Sequence, residues 1–171
     1  DNPVENLTLE QVRRVFAGEI ANWRELGGPD APITLVNREA GSGTRGAFEE
    51  LVMGKGGPPL SYRAIRQGSN GSVRAVVEGD PVAIGYISLG FVDSLNAKTS
   101  VKAVSVNHVE ASEKTVASGG YPISRDLYFF VKGTPSQQAQ DYIDYVTSEK
   151  MDKQIREAGF IPVTNDGKGS E

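Results

Sequence analysis

Ten polar and glycine-rich residues, Asn37-Arg38-Glu39-Ala40-Gly41-Ser42-Gly43-Thr44-Arg45-Gly46, separate a β-rich run from a helical pattern. The run is Ile33-Thr34-Leu35-Val36, and the pattern is carried by Ala47, Phe48, Leu51 and Val52. A short buried strand that passes into a helix through such a loop is a building unit of layered α/β proteins. The rest of the chain keeps the alternation. Val82 to Leu89 is apolar and β-like, Val101 to Val106 alternates with period two, and Leu127 to Val131 is a strongly apolar run read as a strand. These alternate with helical segments, which excludes a plain helix bundle or an all-β barrel.

The helices are well punctuated. Thr8 suits an N-cap with Gln11 three residues on, a capping box, and Leu7 and Val12 are spaced as a hydrophobic staple. Leu9, Val12, Val15 and Phe16 follow at helical spacing, and Gly18 can close the helix in the left-handed conformation. After the single tryptophan, Trp23, the run Gly27-Gly28-Pro29-Asp30 makes a turn, and Gly54 to Pro59 is a breaker-rich loop. A helix after Ser69-Asn70-Gly71 turns Val73, Val76 and Val77 inward, and Ser112 caps a short helix ending at Gly119-Gly120. Pro135 to Ala158 reads as one or two amphipathic helices closed by Gly159, with Ser148 capping the second, and Thr164 to Glu171 reads as a frayed tail.

Composition narrows the function classes. The chain has 171 residues and no cysteine, which removes disulfides, thiol catalysis and cysteine-ligated metals. Its 18 basic and 22 acidic residues give a formal charge of −4, without the basic face that nucleic-acid binding calls for. No apolar run approaches the roughly 18–20 residues of a membrane span. Asp1-Asn2-Pro3 does not read as an export leader. The first helix signal comes by residue 7 with no strand before it to pack on, so a preceding N-terminal portion is expected.

The loop at Asn37–Gly46 carries the chemistry. A helix N-terminus presents unpaired N–H groups and a partial positive charge. Gly41 and Gly43 allow close backbone approach, Ser42 and Thr44 add hydroxyl donors, and Arg38 offers a permanently charged fork. Every member of this set donates hydrogen bonds, as a fully oxygenated tetrahedral anion requires. The plainer reading of the same residues is a solvated strand-to-helix turn without a ligand. Gly41, Gly43 and Gly46 also match G-x-G-x-x-G. Polar Asn37-Arg38-Glu39 after Val36, and the lack of an acidic strand end about twenty residues on, count against a dinucleotide fold.

Other candidates have bland alternatives. Ser69, Asn70 and Gly71 are either a second donor set or an ordinary N-cap, the latter being favoured. Arg45 either faces a ligand or pairs with Glu49 one turn on, and the pairing is favoured. Glu39 reads as a solvated carboxylate, though it can also orient Arg38. His108, the single histidine, lies in a polar turn without convergent partners. Ser42 lacks the flanks of a nucleophile elbow. Tyr142, Tyr145, Phe129 and Phe130 read as core or lobe-interface packing.

Arg38-x-x-x-Ser42-Gly43-Thr44-Arg45 resembles the anion loop of the phosphate-binding proteins that serve high-affinity phosphate ABC importers, members of the type II periplasmic binding proteins. Asn6 to Gln11 with Phe16-Ala17-Gly18 and Asn22-Trp23 resemble the family's segment ahead of that loop. Ala83-Ile84-Gly85-Tyr86, Tyr121-Pro122-Ile123-Ser124-Arg125 with Leu127-Tyr128, and Ala158 to Val163 resemble its other usual patterns. The resemblance implies a three-layer α/β lobe whose C-terminal helices return to a first lobe not contained here. Residues 1–124 would be the second, anion-binding lobe, 125–164 the crossing strand and C-terminal helical segment of the first, and 165–171 a flexible tail. It implies an extracytoplasmic, non-enzymatic receptor for inorganic phosphate, working with a membrane permease and needing no cofactor or metal. Arg38, Ser42, Gly43 and Thr44 would form one wall of the site, with Ser69, Asn70 and Gly71 as additional candidates. A sensory module reusing the lobe, or an enzyme acting on phosphorylated substrates, are the alternatives. A homodimer through an exposed lobe interface is a further expectation.

Overall fold

A computed structural model describes residues 2–91, 101–158 and 160–163. The chain falls into two units, Asp1–Arg125 and Asp126–Glu171.

The first unit is built on parallel strands. Strand β1 (Asn6–Leu7) leads into helix α1 (Leu9–Ala17), and Thr8 and Gln11 form the expected capping box across that junction. Gly18 ends α1 at φ +81°, as its lack of a Cβ permits. A short 3₁₀ turn, Trp23–Leu26, precedes β2 (Thr34–Arg38). Then come α2 (Gly43–Phe48), which runs directly into a π-helical turn at Glu49–Met53, β3 (Ile65–Gln67), α3 (Asn70–Gly79) and β4 (Ala83–Gly85). The short β5 (Ser105–Val106) and α4 (Glu113–Ala117) follow, with Ser112 capping α4.

Strand β2 is the centre of a parallel sheet ordered β3-β2-β4, with Val36 opposite Ile65 on one side and Gly85 on the other. A parallel strand flanked on both edges and covered by helices should be buried throughout. Residues 35–38 of β2 are. A second parallel pair joins β1 to β5. Leu7, Val12, Val15 and Phe16 pack with Trp23, Leu35, Phe48 and Val52 in one core. The indole N–H of Trp23 donates to the Val82 carbonyl at 2.8 Å, so its one polar atom is satisfied.

The sequence expectations need several corrections here. Strand β2 does not stop at Val36. Asn37 and Arg38 continue it and pair with Arg66 and Gln67, because the ladder supplies backbone partners whatever the side-chain polarity. The apolar run Val82–Leu89 yields only the three residues of β4, and Val101–Val106 only the two of β5.

In the second unit, Ser136 caps α5 (Gln137–Val146), and a 3₁₀ turn at Glu149–Met151 leads into α6 (Asp152–Glu157). Ser148 stands at the N-cap of that turn, yet its hydroxyl donates back to the Tyr145 carbonyl instead of capping. Leu127–Val131 is not a strand. Among the described residues it has no ladder partner, and hydrophobicity alone cannot supply one. Phe129, Phe130, Tyr142 and Tyr145 are exposed within the described residues rather than core, apart from an edge-on contact of Phe129 with Tyr142. The Gly159 helix stop and the Thr164–Glu171 tail lie outside the described residues.

One glycine fixes how closely α3 lies on the sheet. A Cβ on Gly85 would meet Val73 Cγ1 at 2.7 Å, and Val73 is fully buried. Gly85→Ala should destabilise the protein by about 1–3 kcal/mol through overpacking. Val73→Ala in the same chain should recover part of the loss, as read from denaturant midpoints.

Candidate anion site

The carboxyl end of β2 delivers two polar side chains into the interior. Asn37 and Arg38 are 3% and 8% exposed. Successive strand residues point to opposite faces, so the two face different partners.

Asn37 serves the backbone. Its Oδ1 accepts from the Arg38 N–H at 2.8 Å and from the Tyr86 hydroxyl. Tyr86 is stacked on Phe48, with ring centroids 4.0 Å apart, and Phe16 meets both rings edge-on. Burial raises the Tyr86 pKa above its ordinary value.

Arg38 faces the site. Its Nε and Nη2 donate to the two Glu39 carboxylate oxygens, each at 3.0 Å, and Nη1 donates to Asn70 Oδ1. A guanidinium has five N–H donors. Three are engaged, so one remains on each terminal nitrogen. The hydrogen bond from Arg38 holds the Glu39 carboxyl below the usual range, and the same bond keeps Arg38 cationic despite its burial. Glu39 is therefore a bidentate partner of Arg38, where the sequence favoured a solvated loop carboxylate.

The connection from β2 to α2 is only Glu39–Ser42, with Gly41 at φ +89° making the turn. Ser42 is the N-cap, and its Oγ accepts from the Arg45 N–H at 3.2 Å. The N–H groups of Gly43 and Thr44 open the helix and have no intrahelical acceptor. Thr44 Oγ1 lies 3.2 Å from Ser88 Oγ, which also accepts from Asn70 Nδ2 at 3.3 Å. Arg38, Asn70, Ser88 and Thr44 thus form a connected set, drawn from the end of β2, the segment after β4, and the first turns of α2 and α3.

The residues named from the sequence separate accordingly. Arg38 and Thr44 are joined through Asn70 and Ser88, while Ser42 and Gly43 adjoin Thr44 along the chain at the start of α2. Of the second trio only Asn70 joins them; Ser69 caps α3 by accepting from the Ser72 N–H at 3.0 Å, and Gly71 is exposed. Arg45 pairs with Glu49 at 2.9 Å, as favoured. His108 sits in an exposed turn with φ +65°. Ser88, Asn37 and Tyr86 were missed as site elements; Gly85-Tyr86 entered the sequence reading only as a family pattern. The dinucleotide pattern loses its physical basis at Gly46, where an added Cβ meets nothing within 4 Å. In that fold the third glycine exists for close helix–strand packing.

A parallel α/β unit that gathers hydrogen-bond donors at the carboxyl end of its central strand has the form of a ligand-binding lobe. The chain belongs to the PBP superfamily, whose domain model matches residues 1–150. It is similar to the phosphate-binding protein PstS of Bacillus subtilis, 35% identical over 96% of this chain and 53% of the relative. It is also similar to PstS of Borreliella burgdorferi, 30% identical over 94% and 59%. A putative phosphate ABC transporter substrate-binding protein with bound phosphate from Clostridium perfringens superposes with TM-score 0.77 at 35% identity, covering 96% of this chain and 65% of that one. An ABC-type phosphate transport receptor from Vibrio cholerae gives 0.78 at 32%, covering 95% and 66%. The chain spans little more than half the length of these two curated relatives. The relatives bear the names of binding proteins and transport receptors, not of enzymes. Nothing in these likenesses supports the expected homodimer.

The Asn37–Tyr86 pair makes a test of the site's foundation. Tyr86→Phe should cost about 1 kcal/mol at neutral pH by removing one donor to Asn37. A tyrosine with a raised folded-state pKa stabilises the fold below its unfolded pKa of about 10, and this is lost as pH rises through the folded value. Stability should therefore fall above pH 10, and fall less steeply in Tyr86→Phe, as followed by chemical denaturation across that range.

Proposed function

We propose that this chain contains the anion-binding lobe of an extracytoplasmic receptor that captures inorganic phosphate for an ABC importer. The observation that carries the reading is the buried Arg38 guanidinium, oriented by Glu39 and Asn70 beside the open N–H groups of Gly43 and Thr44. The names of the relatives point the same way. The binding residues are Arg38, Ser42, Gly43 and Thr44, with Asn70 and Ser88 bracing them. No bond of the ligand is made or broken.

Capture rests on pre-positioned donors. Glu39 and Asn70 hold the Arg38 fork in place before any ligand arrives, which lowers the ordering cost of binding. Ser42 caps α2 through its oxygen and keeps its own hydroxyl proton for an anion. The wall consists of donors facing the ligand, so it suits sulfate and phosphate alike. Preference for hydrogenphosphate needs an acceptor for its proton, supplied by the remainder of a receptor of the relatives' length. In that arrangement the chain passes to the other lobe beyond Arg125, which itself stays with the anion-binding lobe, and the permease is the downstream partner. Among the described residues no helix is long and apolar enough to cross a membrane.

Calorimetry with phosphate and sulfate on this chain, on Arg38→Ala and on Arg38→Lys tests the reading. The chain should bind both anions with similar affinity. Arg38→Ala should weaken binding by about ten- to a hundredfold, the worth of a charge-assisted hydrogen bond, and Lys should restore only part of it. Equal affinity in Arg38→Ala would remove Arg38 from the site. Turnover of a phosphate ester that is lost on changing Ser42 would make the chain an enzyme instead.

A further inference from the structure

Three guanidinium groups reach the connection that ends β2 and opens α2, and two of them bring their own counter-charge. Arg38 is paired with Glu39 at 3.0 Å and Arg45 with Glu49 at 2.9 Å. Each pair is neutral as a unit. The third, Arg125, donates from Nη2 to the Gly43 carbonyl at 3.1 Å. It comes this near because Gly43 has no side chain in the way; a Cβ there would lie 3.0 Å from Nη2. Among the described residues Arg125 forms no ion pair with a carboxylate, and four of its five N–H donors remain.

The charge balance gives this residue a role. An oxyanion approaching the start of α2 meets two neutralised arginines on a chain of formal charge −4. Local donors can orient the ion, but neutral pairs attract it little at a distance. We propose that Arg125 supplies the net positive charge of the anion site, drawing a doubly charged oxyanion to the first turn of α2. This rests on the reading of that turn as a phosphate site. It assigns Arg125 an electrostatic role, set by charge rather than by fork geometry. The Gly43 carbonyl positions the guanidinium.

The test follows inorganic phosphate titrated into the isotope-labelled 171-residue chain, reading the Gly43 and Thr44 amides and the Arg125 Nε–H by NMR. Arg125→Gln should weaken phosphate binding by about fivefold near 0.1 M ionic strength, the scale of one exposed charge acting on a dianion in water. The difference should fade near 1 M salt, where the Debye length is only about 3 Å. Arg125→Lys should bind as the parent does at both. Because Arg125 is exposed, thermal midpoints should be unchanged in both variants. If the Gly43 and Thr44 amides respond but Arg125→Gln binds like the parent, the assignment is overturned and the site stands. If Lys weakens binding as much as Gln, the role is that of a structural clamp and the charge assignment fails. If neither amide responds to phosphate in the parent chain, the site reading falls and this inference with it.

Discussion

Ending a buried parallel strand with asparagine and arginine is costly unless each polar atom finds a partner, since an unpaired buried amide or charge loses its hydration without compensation. The structure meets that demand with two separate sets of bonds. Asn37 is used inward, binding the strand's own backbone and the Tyr86 hydroxyl above an aromatic stack. Arg38 is used outward, held by Glu39 and Asn70. Among the described residues no buried side-chain nitrogen or oxygen is left without a partner. The position of α2 and α3, and with them every donor of the site, depends on this strand end being fixed.

The two helices also make the same strand end electropositive. Both α2 and α3 begin beside it, each with a serine N-cap that satisfies a first-turn N–H through its oxygen. A serine cap leaves the helix dipole uncancelled, where an aspartate would have neutralised it. The acidic group that is present, Glu39, is committed to Arg38 and sits 40% exposed, turned partly to solvent. The carboxylate thus orients the Arg38 guanidinium, while the first turns of both helices keep their own partial positive charge.

What the sequence made legible were features decided within a few residues. The Thr8 box, the Gly18 stop, the Ser69 and Ser112 caps and the Arg45–Glu49 pair each depend on neighbours one helical turn away, so spacing suffices to find them. The parts that escaped depend on distant partners. Asn37 looked like a loop residue because its hydroxyl partner is Tyr86, brought alongside by β4. Ser88 became visible only once α2 and α3 were placed beside it. The opposite failure occurred at Leu127–Val131, where an apolar run looked like a strand although strand formation needs a second backbone.

That run has a bearing on how the chain behaves in bulk. Leu127, Tyr128, Phe129, Phe130 and Val131 are all exposed, from 47% to 91%. Five consecutive apolar residues whose backbone groups have no ladder partner among the described residues are a template for cross-β stacking between molecules. The flanks oppose it. Arg125 and Asp126 stand on one side and Lys132 on the other, so an in-register stack would bring like charges together at both ends of every rung. These charges act as gatekeepers, and their repulsion is screened by salt. Raising the ionic strength shortens the reach of that repulsion and so weakens the barrier to stacking between molecules.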